Sequence, residues 1–257
     1  MSEGTVHYEV TDGIARVTFD RPEARNAMTW AMYQGLAHAL ETIATDDAVR
    51  VAVLRGMGHE AFVSGTDIAQ FTSFAGAEDG LLYEHRINVA IDRIERLMKP
   101  TIAVIEGWAT GGGLIVAAAC DFRIAAPNAR FGVPIARTLG NCLSIANVAR
   151  LVAAFGQARV KRILMRAEII DAEEAAACGF VELTQAGEIE AKLAVICGRL
   201  KEHAPLTMFA AKEALRRIAL ANLPDAEDLI HTCYGSADFK EGVNAFLAKR
   251  KPDWQGR

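Results

Sequence analysis

Short apolar runs rich in β-branched residues alternate with longer segments of helical periodicity in the first half of the chain. The runs at 49–55 and 101–106 predict buried strands, because they are short, continuous and rich in valine and isoleucine. Between them, Ile87, Ile91 and Ile94 recur at the spacing of one helix face. Strands that alternate with helices in this way predict an α/β fold.

Local signals predict two further elements. Residues 6–19 alternate polar and apolar side chains on both sides of the turn dipeptide Asp12-Gly13, which is typical of a β-hairpin. Asp171 is followed closely by Glu173 and Glu174, a combination that favours an N-cap and an acidic first helical turn. We therefore expect a hairpin at the start of the fold and a new helix just after Asp171.

The second half of the chain is dominated by helical patterns. Beyond about residue 148 the strand signals fade, and 204–220 and 225–247 each predict one helix. No low-complexity linker separates the two halves. We expect an α/β core at residues 1–195 that carries a helical C-terminal region at residues 196–257.

Composition narrows the function classes. The 257 residues are 51% hydrophobic with a formal net charge of −4, too apolar for a disordered chain and without the basic patch of a nucleic-acid binder. Five widely spaced cysteines, none with metal-ligand spacing, favour a reduced cytoplasmic protein without a metal. The longest apolar candidate, 111–120, falls short of the roughly 20 residues that cross a bilayer. We expect no membrane or nucleic-acid partner.

Three glycine-bearing turns could carry chemistry: 61–68, 109–113 and 139–141. Glycines between a strand and a helix let backbone N–H groups approach a ligand, and the helix N-terminus favours negative charge there. Two such amides that converge on one oxygen form an oxyanion hole. Close packing of a buried helix explains the triplet in 109–113 equally well. The triplet does not fit a dinucleotide-binding GxGxxG pattern, and the chain has no phosphate-binding P-loop.

Several stretches in chain order resemble the successive signatures of one enzyme family. They are FDRPEARNAM (19–28), AFVSGTDI (61–68), GWATGGG (107–113), ACD (119–121), ARFG (129–132), DAEEA (171–175), GFV (179–181), FKEG (239–242) and FLAKRKP (246–252). Together these stretches resemble the enoyl-CoA hydratase/isomerase (crotonase) family over nearly the whole chain. The resemblance implies a spiral of ββα units, with a helical C-terminal region that assembles trimers or dimers of trimers.

The same resemblance implies the ligand and its contacts. It implies an acyl-CoA substrate, so that coenzyme A enters as part of the substrate and no cofactor is bound permanently. The thioester oxygen would lie between the backbone amides of Thr66 and Gly112. The coenzyme A portion would contact residues at two turns: Arg25, Ala27, Ser64, Thr66, Asp67, Ile68 and Ala69. For Arg25 a solvated surface cation is the alternative, and for Asp67 a helix cap.

The chain departs from the family at the positions of the catalytic acids. Hydratases of this family place one Glu two residues after the glycine triplet and another directly after the Pro of the Phe-Gly-x-Pro turn. This chain has Ile115 and Ile135 there, and no Asp or Glu lies between Asp121 and Glu168. An apolar side chain cannot activate water, and each positioned acid or base contributes about 10²–10⁴ in rate. Ordinary hydration by the usual pair is therefore not expected.

Other polar residues could replace the missing pair. Asn141 and Cys142 occupy a turn where some relatives carry an acidic nucleophile, and Arg137 is the nearest cation in sequence. His85 lies beside Glu84 on the helix expected to line the acyl pocket. A small packing residue is the alternative for Cys142, and a solvated helix face is the alternative for His85.

We hypothesise an acyl-CoA enzyme that stabilises a thioester enolate with non-standard proton transfer. Double-bond migration, C–C cleavage or a differently catalysed hydration all remain open. A second hypothesis is a catalytically weak acyl-CoA-binding member of the family. A third is a hydrolase of β-diketones on the same fold, which predicts no CoA binding.

Overall fold

The computed structural model describes residues 3–257 as a mixed α/β fold of two sheets and many helices. The strands are β1 Thr5–Thr11, β2 Ile14–Asp20, β3 Val51–Gly56, β4 Ala61–Val63, β5 Thr101–Ile105, β6 Trp108–Thr110, β7 Phe122–Ala125, β8 Arg130–Gly132, β9 Ile170–Asp171 and β10 Glu182–Leu183. The helices are α1 Trp30–Thr45, α2 Ala77–Arg96, α3 Gly112–Ala119, α4 Ile135–Thr138, α5 Ile145–Phe155, α6 Gln157–Met165, α7 Ala172–Ala177, α8 Ile189–Glu202, α9 Pro205–Ala219, α10 Glu227–Tyr234 and α11 Ala237–Leu247. A 3-10 helix also follows β4, at Ile68–Ser73.

The two sheets are built from repeated ββα units. The larger sheet has the order β1-β2-β3-β5-β7-β10, and the smaller has the order β4-β6-β8-β9. In each unit one strand enters the larger sheet, the next enters the smaller sheet, and a helix follows, as in β3-β4-α2, β5-β6-α3 and β7-β8-α4. Corresponding strands of successive units are parallel neighbours. The α/β class predicted from the sequence is confirmed.

Most of the local predictions are confirmed. β1 and β2 pair antiparallel around Asp12-Gly13, with Thr11 opposite Ile14. Asp171 caps α7 by accepting a hydrogen bond from the Glu174 N–H at 2.8 Å. These elements depend on side chains within a few residues of each other, which is why the sequence alone predicts them.

The prediction of one continuous helix over 225–247 is wrong. The structure has α10 and α11 there, separated at Gly235-Ser236. The Ser236 hydroxyl accepts a hydrogen bond from the Phe239 N–H at 3.0 Å and so begins a new helix. The boundary predicted at 195/196 falls inside α8, and the division into two regions stays a prediction. Within residues 3–257, no helix combines the length and apolarity that crossing a bilayer requires.

A large core lies between the two sheets and helices α1, α2 and α3. Phe19, Met32, Leu36, Ile91 and Leu114 are fully buried in it. Burial of such side chains is worth roughly 1.5–3 kcal/mol each. This core holds α1 against β1 and β2 of the larger sheet and α3 against β4 and β6 of the smaller sheet, and α2 packs on both helices. The candidate site lies at the ends of β4 and β6, beside these helices.

Candidate functional site

The two glycine turns meet because they follow adjacent parallel strands. β4 and β6 pair in parallel, with Ala61 opposite Trp108 and Val63 opposite Ala109. Since the carboxyl ends of parallel neighbours lie at one edge of a sheet, the turn after each strand emerges at the same place. The turns then lead into the 3-10 helix and into α3, respectively. Two segments almost 50 residues apart in sequence are thereby brought together.

Atomic distances show how close the turns are. A Cβ placed on Gly112 would lie 4.0 Å from the Thr66 amide nitrogen. A Cβ placed on Gly65 would lie 3.8 Å from the Gly112 amide nitrogen. Gly65 has a φ of 104°, a conformation that L side chains rarely adopt. Glycine at position 65 therefore allows the turn and leaves the Gly112 amide uncovered.

Both amides are unused by the fold. Across residues 3–257, neither the Thr66 N–H nor the Gly112 N–H donates a hydrogen bond to another residue. Gly112 is the first residue of α3, where N–H groups lack intrahelical acceptors and the helix dipole is positive. Two unpaired donors at adjoining turns can bind one oxygen that carries or develops negative charge.

The packing interpretation of the triplet holds for a different glycine. A Cβ on Gly113 would overlap the Val63 carbonyl group on β4. Gly113 thus lets α3 approach the smaller sheet, while Gly112 keeps a free N–H. The packing interpretation is therefore confirmed for Gly113, and the oxyanion-hole interpretation of Gly112 stays a prediction.

The expected coenzyme A contacts come from two turns that the backbone joins. The Ser64 N–H donates to the Arg25 carbonyl at 3.1 Å, and the Met28 N–H donates to the Gly65 carbonyl at 2.8 Å. Ala27 is half-buried between them, whereas the Arg25 side chain is exposed. The sequence reasoning missed Asn26, which is fully buried and joins the first of these turns to Met57 and Ala61, on either side of the β3–β4 connection.

Asn26 holds this loop through its side-chain amide. Its Oδ1 accepts from the Arg21 N–H at 2.9 Å, and its Nδ2 donates to the carbonyls of Met57 and Ala61 at 3.0 and 2.8 Å. Asn26 and Arg25 both have positive φ, of 55° and 52°. Asn26 could have been identified from the sequence, because it follows Arg25 in the first family-like stretch and asparagine tolerates a positive φ.

Asp67 acts as a helix cap, the alternative weighed above. Its Oδ1 accepts from the Ala69 N–H at 3.0 Å at the start of the 3-10 helix, and its Oδ2 lies 2.8 Å from the Arg21 guanidinium. Ile68 is half-buried and Ala69 is exposed. These contacts fix the segment directly after Thr66.

The Thr66 hydroxyl lies between two buried tyrosine hydroxyl groups. Thr66 Oγ1 is hydrogen-bonded to the Tyr33 hydroxyl at 2.9 Å and to the Tyr83 hydroxyl at 2.8 Å. Burial raises the pKa of Tyr33 to about 12 and raises that of Tyr83 well above 10, so both phenols are protonated at neutral pH. Neither tyrosine was identified from the sequence.

A buried carboxyl group lies one residue further along α2. Glu84 accepts from the Tyr234 hydroxyl at 2.8 Å and from the Ser144 N–H at 2.9 Å. Burial raises the pKa of Glu84 to about 7, against the opposing effect of these two donors. The available signal was its position: Glu84 precedes Ile87 by three residues, on the buried stripe of the helix.

Asn141 belongs to the same network. Its Nδ2 donates to the Tyr234 hydroxyl at 3.0 Å. Its Oδ1 is buried and has no hydrogen-bond partner among residues 3–257. An unpaired buried oxygen of this kind can accept a hydrogen bond from a ligand.

The other two candidates lie in less favourable settings. The Cys142 thiol contacts Cys233, and this contact together with burial raises the pKa of Cys142, so that the thiol stays protonated. A protonated thiol is a poor nucleophile. His85 is exposed and lines a cleft of about 470 Å³ together with Glu84 and Ser144. Within the described residues, the lining of this cleft does not include Thr66 or Gly112.

Ile115 and Ile135 both pack with the main core. Ile115 is fully buried in the first turn of α3, and Ile135 is half-buried at the start of α4. No three His, Cys, Asp or Glu side chains of residues 3–257 are arranged to hold a metal ion. Among the described acids, Glu84 is the one that combines near-complete burial with a raised pKa.

The chain is similar to known proteins both in sequence and in structure. The model of the enoyl-CoA hydratase/isomerase family matches residues 9–257. A probable enoyl-CoA hydratase from Bacillus subtilis is 34% identical over 249 residues, covering 95% of each protein. An enoyl-CoA hydratase/carnithine racemase structure from Magnetospirillum magneticum has a TM-score of 0.80 at 34% identity, covering 100% of this chain and 97% of that one.

A second solved structure is similar over both complete chains. It is a methylmalonyl-CoA decarboxylase in complex with 2-nitronate-propionyl-CoA, with a TM-score of 0.90 at 26% identity and 100% coverage of each chain. The order of elements and the ββα repeat described above are therefore shared with hydratases and with a decarboxylase.

Proposed function

The chain belongs to the enoyl-CoA hydratase/isomerase family, and from this premise we propose that it holds the thioester oxygen of an acyl-CoA between the Thr66 and Gly112 amides. The observation that carries the proposal is that these two N–H groups adjoin and donate to no other residue of 3–257. As the thioester becomes an enolate, its oxygen becomes anionic, and both donors bind it more strongly. The site therefore favours reactions that pass through an enolate.

Within this class we propose decarboxylation of a thioester that carries a carboxylate on its α-carbon. The bond between the α-carbon and the carboxylate breaks, its electron pair forms the enolate, and carbon dioxide leaves. The α-carbon then takes up one proton. This route to an enolate needs no base, whereas hydration and isomerisation both begin with a positioned acid or base.

The side chains at positions 115 and 135 support this choice. Both are isoleucines where the family resemblance leads one to expect glutamates, and Ile115 is fully buried. Apolar side chains beside the substrate carboxylate exclude water from it, and this loss of hydration raises the free energy of the ground state. In the transition state the negative charge moves from the carboxylate to the thioester oxygen in the oxyanion hole, so the transition state is raised less. The similarity to a methylmalonyl-CoA decarboxylase over the whole chain agrees with this assignment.

A pair of Gly112 variants tests the oxyanion hole. Proline is tolerated at the first residue of a helix but has no N–H, so Gly112→Pro deletes the donor. Gly112→Ala keeps the N–H and adds only a Cβ near the Tyr33 hydroxyl, at 3.1 Å. We expect Gly112→Pro to lower kcat by about 10²–10³, and Gly112→Ala to lower it much less.

The substrate assay uses malonyl-CoA, methylmalonyl-CoA and crotonyl-CoA in parallel. Release of carbon dioxide from a malonyl-type thioester, with little crotonyl-CoA hydration, is the expected result. Binding of all three esters without turnover would instead indicate a binding member of the family. No binding of any CoA ester would contradict the proposal and favour a β-diketone hydrolase.

Glu84 favours a second candidate, hydration or double-bond isomerisation with this carboxyl group as the acid and base. A carboxyl group with a pKa of about 7 is matched to proton transfer at neutral pH. Crotonyl-CoA hydration that falls by about 10²–10⁴ in Glu84→Gln would support this candidate over decarboxylation. Unchanged hydration in that variant would exclude Glu84 from the reaction.

We also propose that the coenzyme A portion contacts Arg25, Ala27 and the stretch from Ser64 to Ala69. The exposed Arg25 side chain is suited to a phosphate, and the hydrogen bonds between the two turns hold these residues side by side. Arg25→Ala is expected to raise KM for acyl-CoA and to leave KM for the matching acyl-pantetheine thioester unchanged. Equal effects on both thioesters would contradict this contact.

We also propose that the protein assembles into trimers or dimers of trimers. α9 has no buried residue, and it exposes Leu206, Leu215 and Ile218 to between 68% and 74%. We expect the double variant Leu215→Glu/Ile218→Glu to be monomeric in sedimentation analysis. Met57→Glu, which changes an exposed apolar residue in the β3–β4 turn, serves as the control and should remain a trimer or hexamer.

A further inference from the structure

The hydroxyl groups of Tyr33, Thr66 and Tyr83 form a hydroxyl chain, joined by hydrogen bonds, in which one O–H group has no acceptor among residues 3–257. Three hydroxyls carry three protons, and the two hydrogen bonds that join them use two. Among residues 3–257, no further acceptor lies within hydrogen-bond distance of any of the three oxygens. One buried O–H group is therefore left to donate to something outside the protein.

The hydroxyl chain ends beside the free N–H groups of Thr66 and Gly112. The Tyr33 hydroxyl oxygen lies 3.1 Å from the position of a Cβ on Gly112, and Thr66 Oγ1 lies 3.6 Å from the same point. The Thr66 side chain is attached to the residue whose amide is one of the two donors. The spare proton and the oxyanion hole thus share one small volume.

Packing holds both tyrosine rings in place. The Trp30 ring lies 5.8 Å from that of Tyr33 and 6.0 Å from that of Tyr83, and Phe71 packs edge-on against Tyr83 at 4.9 Å. Both rings are more than nine-tenths buried. The hydroxyls are consequently pre-positioned before any ligand arrives.

We propose that Tyr33 donates the proton that the α-carbon takes up after carbon dioxide has left, with Thr66 and Tyr83 as positioning residues. The inference rests on the proposed function. The enolate electron pair forms a C–H bond with the Tyr33 proton, the thioester carbonyl is restored, and Tyr33 becomes a tyrosinate. The Thr66 hydroxyl, which receives a hydrogen bond from Tyr83, donates to that tyrosinate.

The pKa of the Tyr33 hydroxyl fits this role. The pKa of Tyr33, raised to about 12 by burial, keeps the phenol protonated until an enolate, which is a stronger base, forms beside it. Tyr33 lines an open cleft of about 290 Å³ with Trp30, Gln34 and Arg86, and among residues 3–257 the lining of this cleft includes neither Thr66 nor Gly112. A proton from solvent returns to the tyrosinate and completes the cycle.

The test is the stereochemistry of protonation in deuterium oxide. Brief turnover of methylmalonyl-CoA yields propionyl-CoA with one deuterium at the α-carbon, and its configuration is measured by NMR of a chiral derivative. We expect the wild-type product to have one configuration in large excess and the Tyr33→Phe product to be an even mixture. Because protonation follows the cleavage of the C–C bond, the measured quantity is the ratio of the two product configurations and not the rate of carbon dioxide release.

Two further variants separate proton donation from a structural role. Thr66→Ala keeps the backbone amide and breaks the hydroxyl chain, so it should reduce the stereochemical excess. Tyr8→Phe removes a buried hydroxyl on β1 that has no partner among residues 3–257, and should leave the excess unchanged.

The two proposals fail in different ways. If wild-type protein releases no carbon dioxide from any malonyl-type thioester, the proposed function is wrong. If it releases carbon dioxide but the wild-type product is an even mixture, or Tyr33→Phe retains the excess, only the role of Tyr33 is overturned. If the Tyr33→Phe protein fails to fold, the configuration of the wild-type product still tests the proposal.

Discussion

The carboxylate of Glu84 and the hydroxyl of Tyr234 lie 2.8 Å apart, both almost fully buried, although 150 residues separate them in sequence. This hydrogen bond joins α2 to the end of α10. Gly80 lies one turn earlier on α2 and leaves room for the Tyr234 ring, because a Cβ there would overlap it. The contact ties the C-terminal helices to α2 through one ionisable side chain, which directly follows Tyr83 in sequence.

We predict that stability falls as the pH rises through the ionisation of Glu84. Its pKa is about 7 in the folded protein and 4.5 ordinarily, so the folded state binds more protons between these values than the unfolded state. The free energy of unfolding should therefore decrease from about pH 4.5 to about pH 7, by on the order of 3 kcal/mol from this group. Urea unfolding at pH 5, 6, 7 and 8 measures the change.

The matched variants for this measurement are Glu84→Gln and Glu78→Gln. Glu84→Gln removes the titration, so its stability relative to wild type should rise with pH. Glu78 is an exposed residue on the same helix, and its replacement should leave the pH dependence of the wild type intact. A parallel pH dependence in wild type and Glu84→Gln would show that other groups are responsible.

Two tyrosine-to-phenylalanine variants should differ sharply in stability. Tyr234→Phe leaves the Glu84 carboxyl group and the Asn141 amide without a shared partner, so we expect a loss of about 2–3 kcal/mol. Tyr8→Phe removes a buried hydroxyl that has no partner in residues 3–257, and should be neutral or stabilising. Thermal and urea unfolding of both variants test the prediction, and equal losses would refute it.

A similar pair tests the packing of α3. Gly113→Ala adds a methyl group that overlaps the Val63 carbonyl, so α3 must move away from β4 and carry the Gly112 amide with it. We expect lower stability and a loss of turnover approaching that of Gly112→Pro. Gly198→Ala, in α8, meets no atom within 4 Å and should stabilise the protein by about 0.5–1 kcal/mol. Full activity in Gly113→Ala would show that the spacing of the two turns is not critical.

The fold was predictable from the sequence where local signals determine it. The alternation of strands and helices, the hairpin at Asp12-Gly13 and the cap at Asp171 all depend on residues close in the chain. The break between α10 and α11 was missed because apolar periodicity continues through Gly235-Ser236, and the capping hydrogen bond of Ser236 outweighs it.

The candidate site was only partly predictable for a different reason. The family-like motifs indicated Thr66 and Gly112, and their proximity follows from the parallel pairing of β4 and β6. The hydroxyl chain of Tyr33, Thr66 and Tyr83 joins α1, the turn after β4 and α2. No spacing rule connects three such elements, so this part of the site becomes visible only when the helices are packed.

Glutamates at positions 115 and 135 should increase the hydration of enoyl-CoA esters. The double variant Ile115→Glu/Ile135→Glu places an acid in the first turn of α3 and another at the start of α4, where the family resemblance expects the pair. We predict that crotonyl-CoA hydration rises from near background by at least about 10², while decarboxylation falls because these two side chains are no longer apolar. Ile115→Gln/Ile135→Gln is the control, since it has the same shape and polarity without an ionisable group. If both variants fold and hydrate crotonyl-CoA equally poorly, positions 115 and 135 do not face the thioester.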